Sequence, residues 1–190
     1  MIPESPVHRR TLQGLAAVLA AVCLGGAGPA QAQGVELASL RASRTETSID
    51  LEFAARVILP RAVDEALARG VPIYFTAEAI LLRQRWYWRD ERVARISRTW
   101  RIAFQPLTGS WRVGLGGLNQ THHSLAEALS AASRSAGWKL ADLSQVDPDK
   151  SYHVAFEYRL DTALLPSPMQ FGLSLQGDWA VGVTRVVPVR

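Results

Sequence analysis

From residue 34 onward, apolar and polar positions alternate along most of the chain. Val35 to Ala42 and Ser48 to Val57 both have a period of two. In the second segment Ile49, Leu51, Phe53 and Ala55 share one side, with Asp50, Glu52 and Arg56 on the other. This predicts two strands joined by a polar turn. The period then lengthens. Pro60 to Arg69 carries an apolar stripe of Val63, Ala66 and Leu67, with Asp64 and Glu65 toward its positive end. Pro60 suits a first helical position and Gly70 a stop, so a short helix is expected.

Val71 to Gly117 reverts to strand patterning and predicts a meander of three. A long strand ends near Trp88, a second covers Arg92 to Phe104, and a third covers Trp111 to Leu115. Turns fall at Arg89-Asp90-Glu91 and at Pro106 to Ser110. Ser124-Leu125-Ala126-Glu127 has the form of a capping box, opening a helix through Ala136 that Gly137 ends. Leu143 to Lys150 reads as a polar loop and Tyr152 to Leu160 as a strand. Pro166-Ser167-Pro168 forms a rigid turn, and Phe171–Leu175 with Trp179–Val187 a closing hairpin around Gln176-Gly177-Asp178. The order ββ-α-βββ-α-βββ with short links predicts an α+β, antiparallel, β-rich domain of meander hairpins, sandwich-like or a curved sheet, with two short helices. Two helices are too few to cover a parallel sheet on both faces.

The first 32 residues follow a different logic. Arg9 and Arg10 precede the apolar run Leu15 to Leu24, Gly25 to Pro29 break it, and Ala30-Gln31-Ala32 offers a small-x-small cleavage site. That is the layout of a secretory signal peptide. The run is half the length of about 20 residues that a membrane span requires. Residues 1–32 are therefore expected to be a signal peptide and 33–190 a single domain in the periplasm, with an uncleaved N-terminal anchor as the alternative. Ordinary secretion fits Thr11-Leu12-Gln13 better than twin-arginine export. The lone cysteine, Cys23, lies in the apolar run, so cleavage would leave no thiol for disulfides, metal or nucleophilic chemistry.

Composition adds less. Hydrophobic residues at 48% and charged residues at 20% are globular values that exclude a disordered or fibrous chain. Of 21 basic residues 19 are arginine, but export argues against a nucleic-acid partner. Their placement matters more. Between 83 and 101 there are seven arginines and two acids, a local net of +5.

A hairpin turning through residues 89–91 would pair Trp88 with Arg92 and Ile80 with Trp100. Even positions Ile80, Leu82, Trp86, Trp88, Ala94, Ile96, Trp100, Ile102 and Phe104 would then face the core. Arg83, Arg85, Tyr87, Val93, Arg95, Thr99 and Arg101 would face outward, and Arg92 and Arg98 would need a bulge or an edge. An outward row of Arg83, Arg85, Tyr87, Arg95 and Arg101 is the candidate binding site, since guanidinium groups grip phosphate and carboxylate in bidentate fashion. The plain alternative is a solvated face whose arginines pair with acids such as Glu52, Glu78 or Glu157.

Catalytic and cofactor signals are weak. His122 and His123 are adjacent and so diverge, and neither has zinc-site spacing with His153. Gly114-Leu115-Gly116-Gly117 lacks the tight strand-to-helix turn of a dinucleotide site and reads as a flexible loop. There is no G-x-S-x-G elbow. Asp64-Glu65, Asp90-Glu91 and Asp147/Asp149 occupy helix-start or turn positions. No cofactor or metal is expected.

The segments Arg69-Gly-Val-Pro-Ile-Tyr-Phe-Thr-Ala-Glu78, Arg83-Gln-Arg-Trp-Tyr-Trp88, Trp100-Arg-Ile-Ala-Phe104, Leu107-Thr-Gly-Ser-Trp-Arg112 and Leu160-Asp-Thr-Ala-Leu-Leu-Pro166 resemble domain-of-unknown-function family 4390. These are exported bacterial proteins, some labelled proline-rich signal peptide proteins. The resemblance implies an extracytoplasmic protein of Gram-negative bacteria, whose gene in relatives lies beside a membrane sensor kinase of the nitrogen-regulation type. It implies no catalytic residue, cofactor or ligand. The family's Pro-Lys-Pro turn stands here as Pro166-Ser167-Pro168. Together these observations predict a non-catalytic periplasmic binding or accessory module whose partner is an anionic envelope component or a membrane protein. The alternatives are an envelope hydrolase with a converged His and carboxylate site, or a structural subunit of an envelope assembly.

Overall fold

Ile49, Leu51 and Phe53 alternate with polar neighbours, so any strand containing them must bury one side. The structure, a computed structural model, describes residues 34–87, 89–165 and 179–190. In it Ser48–Val57 (β2) is the middle strand of a three-stranded sheet, between Val35–Arg44 (β1) and Arg134–Asp142 (β7). The second sheet has six strands. Its order is β6-β5-β4-β3-β8-β9, formed by Leu118–His122, Ser110–Leu115, Glu91–Gln105, Ile73–Arg83, Tyr152–Leu160 and Gly182–Pro188. All neighbours within both sheets are antiparallel. The predicted α+β antiparallel class is therefore the observed one.

The two sheets meet through aromatic rings. The Phe53 ring centroid lies 4.9 Å from Phe156, 5.5 Å from Tyr158 and 6.0 Å from Trp100, and Tyr158 stacks on Phe75 at 5.3 Å. All five side chains are buried. The Tyr158 hydroxyl donates to the Ala132 carbonyl at 3.0 Å, so the only polar atom of that ring keeps a partner. Its burial raises the phenol far above its usual pKa. On one side of the molecule Ala42 of β1 bridges to Val189, and the Arg190 N–H donates to the Ala42 carbonyl at 3.0 Å.

Two helices complete the fold. Helix α1, Arg61–Ala68, buries Val63, Ala66 and Leu67 as expected, with Pro60 one residue earlier in the cap position than predicted. Helix α2, Leu125–Ala132, starts at Ser124, whose side chain accepts from the Glu127 N–H. The Glu127 carboxylate receives the His123 N–H rather than that of Ser124.

Several boundaries differ from expectation. The predicted helix to Ala136 stops at Ala132, because Arg134 and Ser135 pair with Ala54 and Phe53 of β2. Sheet pairing there overrides an alanine-rich helical pattern. Gly137 does not end a helix. It takes φ +59° where β7 bulges opposite β2. Gly116 and Gly117, read as a flexible loop, form a two-residue hairpin turn, both with positive φ. Such a turn fits the natural twist of a hairpin and requires that conformation at both sites. The strand Leu118–His122 that follows was not predicted. The proline turn 166–168 and the strand 171–175 lie outside the described residues.

Phe53→Ala should lower stability by about 3–5 kcal/mol, the usual cost of removing a buried aromatic. Tyr158→Phe should cost about 1–3 kcal/mol by leaving the Ala132 carbonyl unpaired. Urea unfolding of the two variants beside the native protein measures both.

Candidate functional site

The predicted arginine row depends on the register of β3 against β4, and that register differs from expectation. Ile80 pairs with Arg95 rather than Trp100, and Arg83 pairs with Glu91. The connection is the seven-residue stretch Gln84–Asp90, not a three-residue turn. From Ile73 to Leu81 the two partners' numbers sum to an odd value, so odd positions of β3 share a face with even positions of β4 up to the bulge that follows Leu81. Phe75, Ala77, Ala79 and Leu81 face the core together with Trp100 and Ile102. Ile80 and Leu82 lie on the outer face. Trp86, expected in the core, is 93% exposed, and Trp88 lies outside the described residues. Arg92 sits beside a bulge, as its break in the pattern required, because Val93 is the unpaired extra residue. Arg98 instead points between the sheets. It donates to the Ser135 hydroxyl at 2.7 Å and lies 5.0 Å above the Trp138 ring. Partial burial lowers the pKa of its guanidinium.

The five candidate residues therefore do not form one row. Arg83 falls at the end of β3 on the core-side parity, and its guanidinium bonds the Glu91 carboxylate. Arg85, in the connecting stretch, bonds the same carboxylate. Tyr87 is exposed beside Trp86, with ring centroids 5.0 Å apart. Arg95 does face outward but is paired with Glu78 at 2.7 Å. Only Arg101 faces outward and makes no ion pair among the described residues. The alternative of native pairing thus holds for Arg95 through Glu78, while Arg83 and Arg85 share Glu91, the first residue of β4.

What the register does bring together is a second outward pair. Arg101 lies opposite Gly114, and the next outward residue of β5 is Arg112, opposite Ala103. Arg112 is also exposed and without an ion pair among the described residues. Diagonal neighbours of this kind sit about 7–8 Å apart, a spacing two guanidinium groups can bridge around one anion. Gly114, opposite Arg101, has no side chain of its own, and the Asn119 side chain of the neighbouring strand β6 lies over it. Toward the sheet centre, Thr76 is bonded to Thr99 at 3.0 Å and to the Asp161 carboxylate at 3.2 Å, with Arg159 paired to Glu157. Sequence reasoning missed Arg112 because β5 was placed in the meander without a register against β4. The Trp111-Arg-Val-Gly114 alternation carried the signal.

The turn is held by its acids. Asp90 accepts from the Arg85 N–H at 3.3 Å and lies 3.1 Å from His153 Nε2 on β8. The two guanidinium groups hold the Glu91 carboxyl below its usual pKa, Arg83 contributing most. A carboxylate with a depressed folded pKa stabilises the fold above its unfolded pKa of about 4.3 and loses that contribution as pH falls through the lower folded value. Stability should therefore drop as pH is lowered below about 4.3, and Glu91→Gln should drop less over the same range. Thermal unfolding of both proteins across that acid range is the check.

No helix among the described residues is long and apolar enough to cross a membrane. No curated protein and no solved structure matches the chain. The profile of a family described as a domain of unknown function, DUF4390, matches residues 32–187, from just before β1 through nearly all of β9. Matched over that length, the chain belongs to the DUF4390 family.

Proposed function

We propose that this protein is an exported, non-catalytic binding module of the periplasm. On this reading residues 1–32 direct export, and the outer face of the six-stranded sheet docks on an anionic patch of a membrane protein or envelope component. A membrane sensor kinase, as the family resemblance implies, is one such membrane protein. The observation that carries the reading is the outward pair Arg101 and Arg112, exposed and without an ion pair among the described residues, on a face where Arg95 and Arg159 already have native acids. The planar forks of Arg101 and Arg112 suit a carboxylate or phosphate presented by a partner.

The second reading, an envelope hydrolase, draws on the approach of His153 to Asp90 at 3.1 Å. Among the described residues no hydroxyl is hydrogen-bonded to that imidazole, and the same Asp90 holds the Arg85 backbone. Turn bracing accounts for the pairing without a reaction.

Replacing Arg101 and Arg112 by Glu together should reduce recovery of the partner in crosslinked envelope fractions. The expected loss is roughly tenfold, the scale for one hydrogen bond to a charged group. Recovery by the native protein should itself weaken between low and moderate salt. Undiminished recovery by the double variant would remove this face from the proposal. A broad ester, phosphate and glycan screen with His153→Ala tests the second reading, which requires turnover that the substitution abolishes.

A further inference from the structure

One end of the sandwich gathers charge from parts of the chain far apart in sequence. The last residue of β1, the start of β8 and the residues after β9 converge there. They are joined by the Ala42–Val189 bridge and by the Gln84 N–H donating to the Ser151 carbonyl at 3.0 Å. Between them lies a groove of about 550 Å³ whose lining includes Arg44, Gln84, Lys150, Ser151, His153 and Arg190. Arg44, Lys150 and Arg190 are exposed and make no ion pair among the described residues. No carboxylate side chain lines the groove. Asp147 and Asp149 flank Pro148 at its margin, where the Asp147 carboxylate accepts the Asp149 N–H at 3.0 Å.

The stretch that supplies Gln84 continues into two aromatic side chains that are exposed. Trp86 is 93% and Tyr87 66% exposed, and the two rings meet edge to face. Arg89 and Arg92 follow, both exposed and without an ion pair among the described residues. Asp90 and Glu91 in the same stretch are already engaged, by His153 and by Arg83 and Arg85. Among the described residues the cations of this end without an ion pair, Arg44, Arg89, Arg92, Lys150 and Arg190, outnumber Asp147 and Asp149 at its margin. A bare indole in water is unfavourable, and Trp and Tyr side chains are favoured at the boundary between hydrocarbon and head groups. Basic residues within a Debye length of an anionic leaflet are attracted to it.

We infer that this end of the sandwich docks on an anionic phospholipid surface, with Trp86 and Tyr87 entering the head-group layer and Arg44, Lys150 and Arg190 receiving lipid phosphates in the groove. The inference rests on the reading that the chain is an extracytoplasmic binding module, but it uses a different surface from the Arg101 and Arg112 pair. A protein seated by this end would keep its sheet face free for a membrane protein.

The test is sedimentation of the full chain with phosphatidylcholine vesicles made with and without one-third phosphatidylglycerol. The quantity read is binding to the anionic vesicles in excess of binding to the neutral ones. The native protein should show such an excess, and 1 M salt, where the Debye length is about 3 Å, should largely remove it. Arg44→Glu with Lys150→Glu should reduce it about 25-fold or more, at about fivefold per basic residue. Trp86→Ser with Tyr87→Ser should reduce it about tenfold, the scale for one buried aromatic side chain. All four positions are exposed, and an unchanged thermal midpoint confirms that each variant folds. No excess for the native protein, or native-like excess for both double variants, would overturn the inference. Abolition by free inorganic phosphate with no effect of the aromatic substitutions would also overturn it, in favour of a soluble anion site. Arg101→Glu with Arg112→Glu should leave vesicle binding within about twofold, since that pair lies outside the docking end and surface charges further than a Debye length are screened. This separates failure of lipid docking from failure of the sheet-face reading.

Discussion

The Phe53 ring, seated among Phe156, Tyr158 and Trp100, is the contact on which the rest of the architecture depends. It joins the three-stranded sheet to the six-stranded one, and it involves β2, β4 and β8 at once. Aromatic pairs in this geometry contribute about 0.5–1.5 kcal/mol beyond their burial. Their larger consequence is geometric. Because Trp100 and Phe156 must both face Phe53, and Phe75 must stack on Tyr158, the parity of β3, β4 and β8 is settled together. A slip of one residue in any of them would turn a ring out to water.

That parity decides the electrostatics of the surface. With odd residues of β3 inward, Glu78 faces out beside Arg95 and compensates it, while Arg98 is drawn between the sheets onto Trp138. The long β3–β4 connection folds back so that one glutamate serves two arginines. Among the described residues, the cations left without an ion pair include Arg101 and Arg112 on the sheet face, and Arg44, Lys150 and Arg190 with Arg89 and Arg92 at one end. A local net charge of +5 in the sequence is therefore a poor guide to where positive potential emerges, because each ion pair removes a cation from it.

The two surfaces also differ in chemistry. The sheet face carries Arg101 and Arg112 near a hydrogen-bonded group of Thr76, Thr99 and Asp161, and suits a partner that presents fixed carboxylates or phosphates. The end carries bare aromatic rings beside its cations, a combination suited to a boundary between water and hydrocarbon. One rigid sandwich holds both, since the bridge from β1 to Val189 and the β3–β8 ladder belong to the same core.

By itself the sequence determined the class of fold and most of its strands. Periods of two in β1, β2, β4 and β8, and the Ser124 to Glu127 cap, are local signals that backbone geometry and side-chain burial enforce residue by residue. It also separated the N-terminal 32 residues by composition and displayed the segments that mark the family. Register was beyond it. An apolar alternation says that a strand has two faces, but not which face of its neighbour each one joins. In β3 both parities are apolar enough, with Ile80 and Leu82 on one side and Phe75, Ala77, Ala79 and Leu81 on the other. Only packing against Phe53 and Tyr158 chose between them, and that choice moved Trp86 out to solvent. The meeting of Arg44, Lys150 and Arg190 was likewise decided by tertiary structure alone, because no local interaction links residues more than a hundred positions apart until the two sheets close around one core.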